Sequence, residues 1–141
     1  MRFWDSSAVL PLLVDEPGTA AMVALQVADP AAAVWWLTPL ECWSALGRLE
    51  RERRLTEEGV AAAARLLAEA ARRWTEVPPI DRVRDQAARL VRLHPLRAAD
   101  ALQLAAALVL SDFDPGTLPF VTLDDRLARA ARREGFEVLG A

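Results

Sequence analysis

The chain has no lysine, no asparagine and no tyrosine, and only one histidine and one cysteine in 141 residues. Without lysine there is no Schiff-base or lysine-nucleophile chemistry and no P-loop lysine for phosphate. A single cysteine, Cys42, excludes an intrachain disulfide and points by default to a reducing, cytoplasmic setting. With only His94 and Cys42 available, nitrogen–sulfur zinc sites and Cys/His nucleophilic catalysis are both poorly supplied. Ser6 and Ser7 lack a G-x-S-x-G turn and a triad-like spacing. No apolar run reaches the length of a membrane span, and MRFWDSSAVL lacks the layout of a signal peptide. The net charge is −3 with all 17 basic residues arginine. That balance argues against a simple basic nucleic-acid clamp and would require local arginine patches or a metal.

What is present is a large apolar fraction, 53%, enough to fill one core. The expectation is a single domain over residues 1–141 in which short strands alternate with helices. Strands are predicted at 2–4, 34–37, 75–77, 120–123 and 136–139. Helices are predicted from Ser6 or Ser7 to Leu13, from 18 to about 28, from Thr38 into RLERERR, and from a Thr56 cap. Further helices follow from an Asp81 cap with Val83, Ala87, Leu90 and Val91 inward, over LRAADALQLAAALVL, and from Asp124 or Asp125 to Arg133. Such alternation implies a mostly parallel sheet covered on both faces. Ligands then sit beyond the carboxyl ends of the strands, at a topological switch point.

Four acids fall where that edge would be. Asp5 ends the first strand, Glu41 follows the second, Asp124 follows FVTL, and Asp100 lies near the start of its own almost wholly apolar helix. Each has a plainer reading. Asp5 and Asp124 can cap helices, Glu41 can close a T-x-x-E capping box with Thr38, and Asp100 can pair with Arg97 three residues back. Together they are harder to dismiss. Two carboxylates about 4 Å apart repel by roughly 4 kcal/mol at an effective dielectric near 20, so four would share a site only with a cation. An oxygen-only donor set favours Mg²⁺ or Mn²⁺.

These blocks resemble a family. WDSSAVLPLLVDE, TPLECWSAL, LRAADALQLAAAL and FVTLDDRLARAARREGFEVL are similar, in order and spacing, to the four acid-bearing blocks of PIN-domain ribonucleases of the VapC type. The resemblance implies a three-layer α/β/α fold with about five short strands. It also implies Mg²⁺- or Mn²⁺-dependent cleavage of single-stranded RNA, a homodimer, and a cognate antitoxin that blocks the site. It maps the catalytic and metal-binding acids to Asp5, Glu41, Asp100 and Asp124. Glu41 is either a ligand or a group that orients the attacking water. Ser6, Thr122, Asp125 and Arg97 are supporting residues. Gln103 stands where the family often has histidine, and the doubled Asp124-Asp125 leaves the fourth acid slightly ambiguous.

Arg97, Arg48 and Arg51 are the candidate RNA contacts, against the plainer reading of solvated helix faces. Arg53, Arg54 and the cluster Arg126, Arg129, Arg132 and Arg133 extend the two basic patches. Trp35, Trp36 and Trp43 fit either the core or a partner surface, with the core preferred; Cys42 is expected as a small buried hydrophobe, and His94 as a helix-end residue. Two alternatives remain. One is a PIN-fold binding module whose acids are vestigial. The other is a receiver or haloacid-dehalogenase-like phosphotransfer enzyme. Ser7 in place of a second Asp, and the missing lysine, speak against the latter.

Overall fold

None of the strands exceeds four residues, so the sheet depends on being buried from both sides. In the computed structural model, which describes Met1–Ala141, the strands are β1 (Arg2–Trp4), β2 (Ala32–Trp35), β3 (Thr75–Val77), β4 (Phe120–Val121) and β5 (Val138–Leu139). They form one sheet in the order β3-β2-β1-β4-β5, parallel throughout. The helices are α1 (Ser6–Val9), α2 (Thr19–Ala28), α3 (Thr38–Arg51), α4 (Glu57–Ala71), α5 (Asp81–Leu93), α6 (Ala98–Leu110) and α7 (Asp125–Arg133).

Side chains alternate across the pleat, and the two faces build two cores. Phe3, Ala33, Trp35, Val77 and Phe120 face α5, α6 and α7. Trp4, Val34 and Val121 face α1 to α4 through Val9, Met22, Cys42, Leu46 and Leu67. The result is the three-layer α/β/α arrangement. The strand order steps outward from β1 in one direction and then resumes from β1 in the other. The switch point therefore lies between β1 and β4, where ligands of such sheets bind.

Local sequence explains where the elements differ from expectation. α1 ends at Val9 and continues as a tight turn, Leu10–Leu12, with Pro11 at its start. Its N-cap is Asp5, not Ser6 or Ser7, and the Asp5 side chain makes no capping bond. β2 ends at Trp35, because Trp36 and Leu37 already turn into α3; Leu37, not Thr38, is the N-cap. β4 and β5 are two residues each, shorter than the runs 120–123 and 136–139. α3 stops at Arg51, and Arg53 takes a left-handed conformation (φ +57°), so RLERERR is not helical to its end. Ile80 caps α5 with Asp81 as the first helical residue, and Val91 is exposed rather than inward. Trp35 is buried, but Trp36 and Trp43 are 49% and 48% exposed, so only one of the three tryptophans is core. Thr56 caps α4 as expected, accepting from the Gly59 amide at 3.0 Å.

His94 is the C-cap of α5. Its Nε2 lies 2.7 Å from Glu134 Oε1 on the C-cap of α7, and Arg89 donates to Glu134 at 2.7 and 3.3 Å. Although burial works the other way, the Arg89 and His94 bonds hold the Glu134 carboxyl below its ordinary pKa. A carboxylate so placed stabilises the fold above its unfolded pKa and loses that contribution as pH falls through the folded value. Glu134→Ala is expected to cost roughly 1–2 kcal/mol at pH 7. The difference from wild type shrinks in acid, as thermal unfolding at the two pH values would read.

Candidate active site

The site begins at the end of β1. Asp5 follows the buried Phe3-Trp4 pair and is itself 3% exposed. Its Oδ2 accepts from Thr122 Oγ1 at 2.7 Å and from Ser7 Oγ. Ser7 Oγ in turn accepts from the Leu123 amide at 2.9 Å. Thr122 is fully buried just past β4 and accepts from the Asp124 amide at 3.0 Å. The T-x-D motif thus joins the backbone carrying Asp124 to the carboxylate of Asp5 across the switch point. Asp124 caps α7 through its Oδ1, which accepts from the Leu127 amide at 2.9 Å. That leaves Oδ2 outside the cap. Asp125 is exposed in the first turn of α7.

Glu41 comes from the opposite side of the cleft, in the first turn of α3. It is no capping-box member. Thr38 Oγ1 bonds Gln103 instead of the helix amides, and Glu41 reaches toward the cleft. There Oε1 accepts from Gln103 Nε2 at 2.9 Å and Oε2 from Ser6 Oγ at 3.1 Å. Ser6 Oγ is also 3.3 Å from Asp5 Oδ1, so one hydroxyl lies between the two acids. Asp100 stands in the first turn of α6, half-buried. Arg97, its expected partner, is exposed at the N-cap of α6 and makes no ion pair with it.

Electrostatics tie the four acids together. Burial, above all, raises the Asp5 pKa against the pull of the Ser7 and Thr122 bonds, and Asp124 adds to the rise. Glu41 is raised by burial and further by Asp5 and Asp100, while Gln103 and Ser6 pull it down. Asp100 is raised by burial, then by Asp124 and Asp5, with Arg97 drawing it back. Each of these three is disfavoured as an anion partly by another of the set. Arg97 offsets part of this at Asp100.

No three of the protein's Asp, Glu, His or Cys side chains are drawn together as a ready-made metal cage. The sequence leads one to expect four acids closing on one cation; the structure brings them from β1, α3, α6 and the β4–α7 turn to one cleft without closing them into such a group. Glu41 is held by Gln103 and Ser6, and Asp124 by the α7 cap. The donor chemistry nevertheless fits a hard divalent cation. The site has carboxylates only, hydroxyls behind them, and an excess of negative charge with one exposed arginine.

This arrangement predicts the stability of the metal-free protein. A carboxyl with a raised folded pKa stabilises fully below its unfolded value, near 4. It loses that contribution as pH rises through the folded value. The thermal midpoint is therefore expected to fall as pH climbs above the usual carboxylate range. Saturating Mn²⁺ is expected to suppress that fall. A midpoint independent of pH in chelator would contradict it.

Two site residues were not visible as such in the sequence. Ser7, next to the nominated Ser6, is the closer partner of Asp5. Gln103 is fully buried and bonded to Glu41; its place in the polar stripe of Arg97, Asp100 and Gln103 signals a polar neighbour but not which one. An S-S pair after a strand-ending Asp is the one signal that could have flagged Ser7. Cys42 is the expected buried hydrophobe, its thiol pushed up to about 12 by burial.

Comparison with known proteins follows the same lines. The family model "PIN domain" matches residues 2–133. Ribonuclease VapC45 and Ribonuclease VapC49, from two strains of Mycobacterium tuberculosis, are each 34% identical over 142 residues. The matches cover 99% of this chain and 94% of each relative. The crystal structure of PAE2754 from Pyrobaculum aerophilum superposes with a TM-score of 0.60 at 24% identity. It covers 92% of this chain and 78% of that one, a likeness of fold.

Proposed function

This chain belongs to the PIN-domain family as a VapC-type endoribonuclease, the toxin of a toxin–antitoxin pair, and from that premise we propose that Asp5, Glu41, Asp100 and Asp124 form its catalytic cation site. The observation that carries the proposal is geometric: at the β1/β4 switch point Ser6 Oγ lies between Asp5 and Glu41, and Thr122 Oγ1 joins Asp5 to the backbone of Asp124, with Asp100 close enough to Asp5 and Asp124 to feel their charge. Asp5, Asp100 and Asp124 would hold Mg²⁺ or Mn²⁺, with Glu41 as the fourth carboxylate at the ion. When bound, the ion supplies Lewis acidity, offsetting charge that builds on the phosphodiester.

The chain's own residues do the rest. Thr122 and Ser7 fix Asp5 Oδ2 and leave Oδ1 toward the cleft. The cap bond fixes Asp124 through Oδ1. Glu41 Oε2, beside Ser6, would orient the attacking water and accept its proton. A carboxylate of raised pKa suits that task better than an ordinary one. Arg48 shares the Glu41 face of α3 two turns on, Arg51 follows it, and Arg97 precedes Asp100 by one turn; all three are exposed. They would bind the phosphates flanking the scissile bond. A cognate antitoxin would cover this cleft, and the active form would be a cytoplasmic homodimer. No helix is long and apolar enough to cross a membrane. One domain spanning residues 1–141 suffices for this reading.

The test is cleavage of a single-stranded RNA with Mg²⁺, Mn²⁺ or chelator, followed by metal add-back. Internal cuts that vanish in chelator and return with metal are expected. Intact RNA in both metals, from protein that binds Mn²⁺, would favour the binding-module reading instead.

A further inference from the structure

Glu41 on α3 is tied by one buried side chain to α6, the helix on the opposite layer that carries Asp100. Gln103 lies one turn after Asp100 on α6 and has no exposed surface. From a single Nε2 it donates to Glu41 Oε1 at 2.9 Å and to Thr38 Oγ1 at 3.1 Å. Thr38 Oγ1 is also 3.5 Å from Gln103 Oε1. Both of its partners belong to the first turn of α3, which packs in the core opposite that of α6.

A buried amide in an otherwise apolar stretch is costly unless bonded. A leucine here would fit ALQLAAALVL with no such demand. The neutral amide has two features the site can use. It donates to Glu41 without adding a cation that would compete with a metal, and it adds no fifth negative charge. We infer that Gln103 is a positioning residue that clasps α6 to α3, setting the Glu41 carboxylate in register with Asp100. Its chemistry is orientation: it leaves Oε2 of Glu41 toward Ser6 and the cleft while holding Oε1. The inference rests on the ribonuclease reading of the four acids.

The experiment compares Gln103→Met, Gln103→His and Glu41→Gln with the double variant Gln103→Met/Glu41→Gln, each on folded, metal-loaded protein. Gln103→Met keeps the volume and removes the donor. It is expected to lower kcat about 10- to 100-fold with KM within about twofold, the pattern of a lost transition-state interaction. It also weakens Mn²⁺ binding, read by electron paramagnetic resonance without any cleavage. Gln103→His restores a donor and recovers most of kcat. In the Glu41→Gln background, Gln103→Met costs little further, because the two act through one group. Wild-type kcat and Mn²⁺ affinity in folded Gln103→Met overturns the inference. So does a kcat loss that simply adds to that of Glu41→Gln. If Gln103→Met does not fold, Gln103→His decides: retention of most of kcat and of Mn²⁺ affinity is expected, and loss of either overturns it. Failure of the wild type to cleave under any metal defeats the ribonuclease reading instead, so the two failures are separable.

Discussion

Asp100→Asn is expected to abolish metal-dependent cleavage, by on the order of a thousandfold or more, while leaving the metal-free fold as stable as wild type or more so. The two halves have one cause. The Asp100 anion is disfavoured by burial and by Asp124 and Asp5, so the metal-free fold holds that anion at a cost. Asparagine keeps the shape and removes the charge. The sign follows from linkage. An acid whose folded pKa is raised destabilises the native state above that pKa, so neutralising it helps folding there. The gain is modest because the side chain is half-buried and Arg97 offsets part of the repulsion. A midpoint shift of zero to a few degrees upward is expected. In metal the order reverses, since wild type gains binding energy and the variant does not. Cleavage assays with thermal unfolding in chelator and in Mn²⁺ check both halves. Unfolding of the variant in chelator would make Asp100 a structural pairing residue.

Phe120→Ala is expected to remove about 3–5 kcal/mol of stability. Phe120 is fully buried and stacks on Phe3 at 5.4 Å, with Phe136 tilted against it at 5.6 Å. These three rings join β4 to β1 and to the segment leading into β5. β4 has only two residues, so little else holds it in place. For a chain of this length the loss is expected to lower the midpoint by roughly 10 °C. The damage extends beyond the core, because Thr122 and Asp124 leave β4 one and three residues after its end. Mn²⁺ affinity is expected to weaken in the fraction that remains folded. Thermal unfolding with and without Mn²⁺ measures both. A midpoint within a degree of wild type would show that the rings do not support the strand.

Much of the site was legible because its acids are tied to strand ends. A strand-ending Asp, an acid in the first turn after a strand, and T-x-D after FVTL each occupy a position that any parallel sheet directs to one edge. The remaining errors have local causes. T-x-x-E looks like a capping box, yet Leu37 takes the cap, and Thr38 and Glu41 are drawn away by Gln103 on another layer. No local pattern reveals a partner 62 residues on. Arg97 and Asp100 have ideal helical spacing, but Arg97 lies at the cap, exposed, and the two form no bridge. Trp43 lies outside because the buried stripe of α3 runs through Thr38, Cys42, Leu46 and Leu49 instead, and Trp36 sits in the turn before that helix. Aromatic content alone does not tell a core stripe from an exposed one. The strand ends were overestimated for a related reason. Apolar residues continue past β2 and β4, but they pack from turns rather than from the ladder.

The account stands on one claim, that four carboxylates from β1, α3, α6 and the β4–α7 turn share a cation. Its most direct measurement is the thermal midpoint of wild type and Asp100→Asn across a Mn²⁺ titration. A ligand held by the folded state alone must stabilise it, by about 2.7 kcal/mol at a hundredfold excess over Kd. The account predicts a midpoint that climbs with the logarithm of Mn²⁺ for wild type and stays flat for the variant. A wild-type midpoint that does not move at millimolar Mn²⁺, or two curves that climb together, would contradict it.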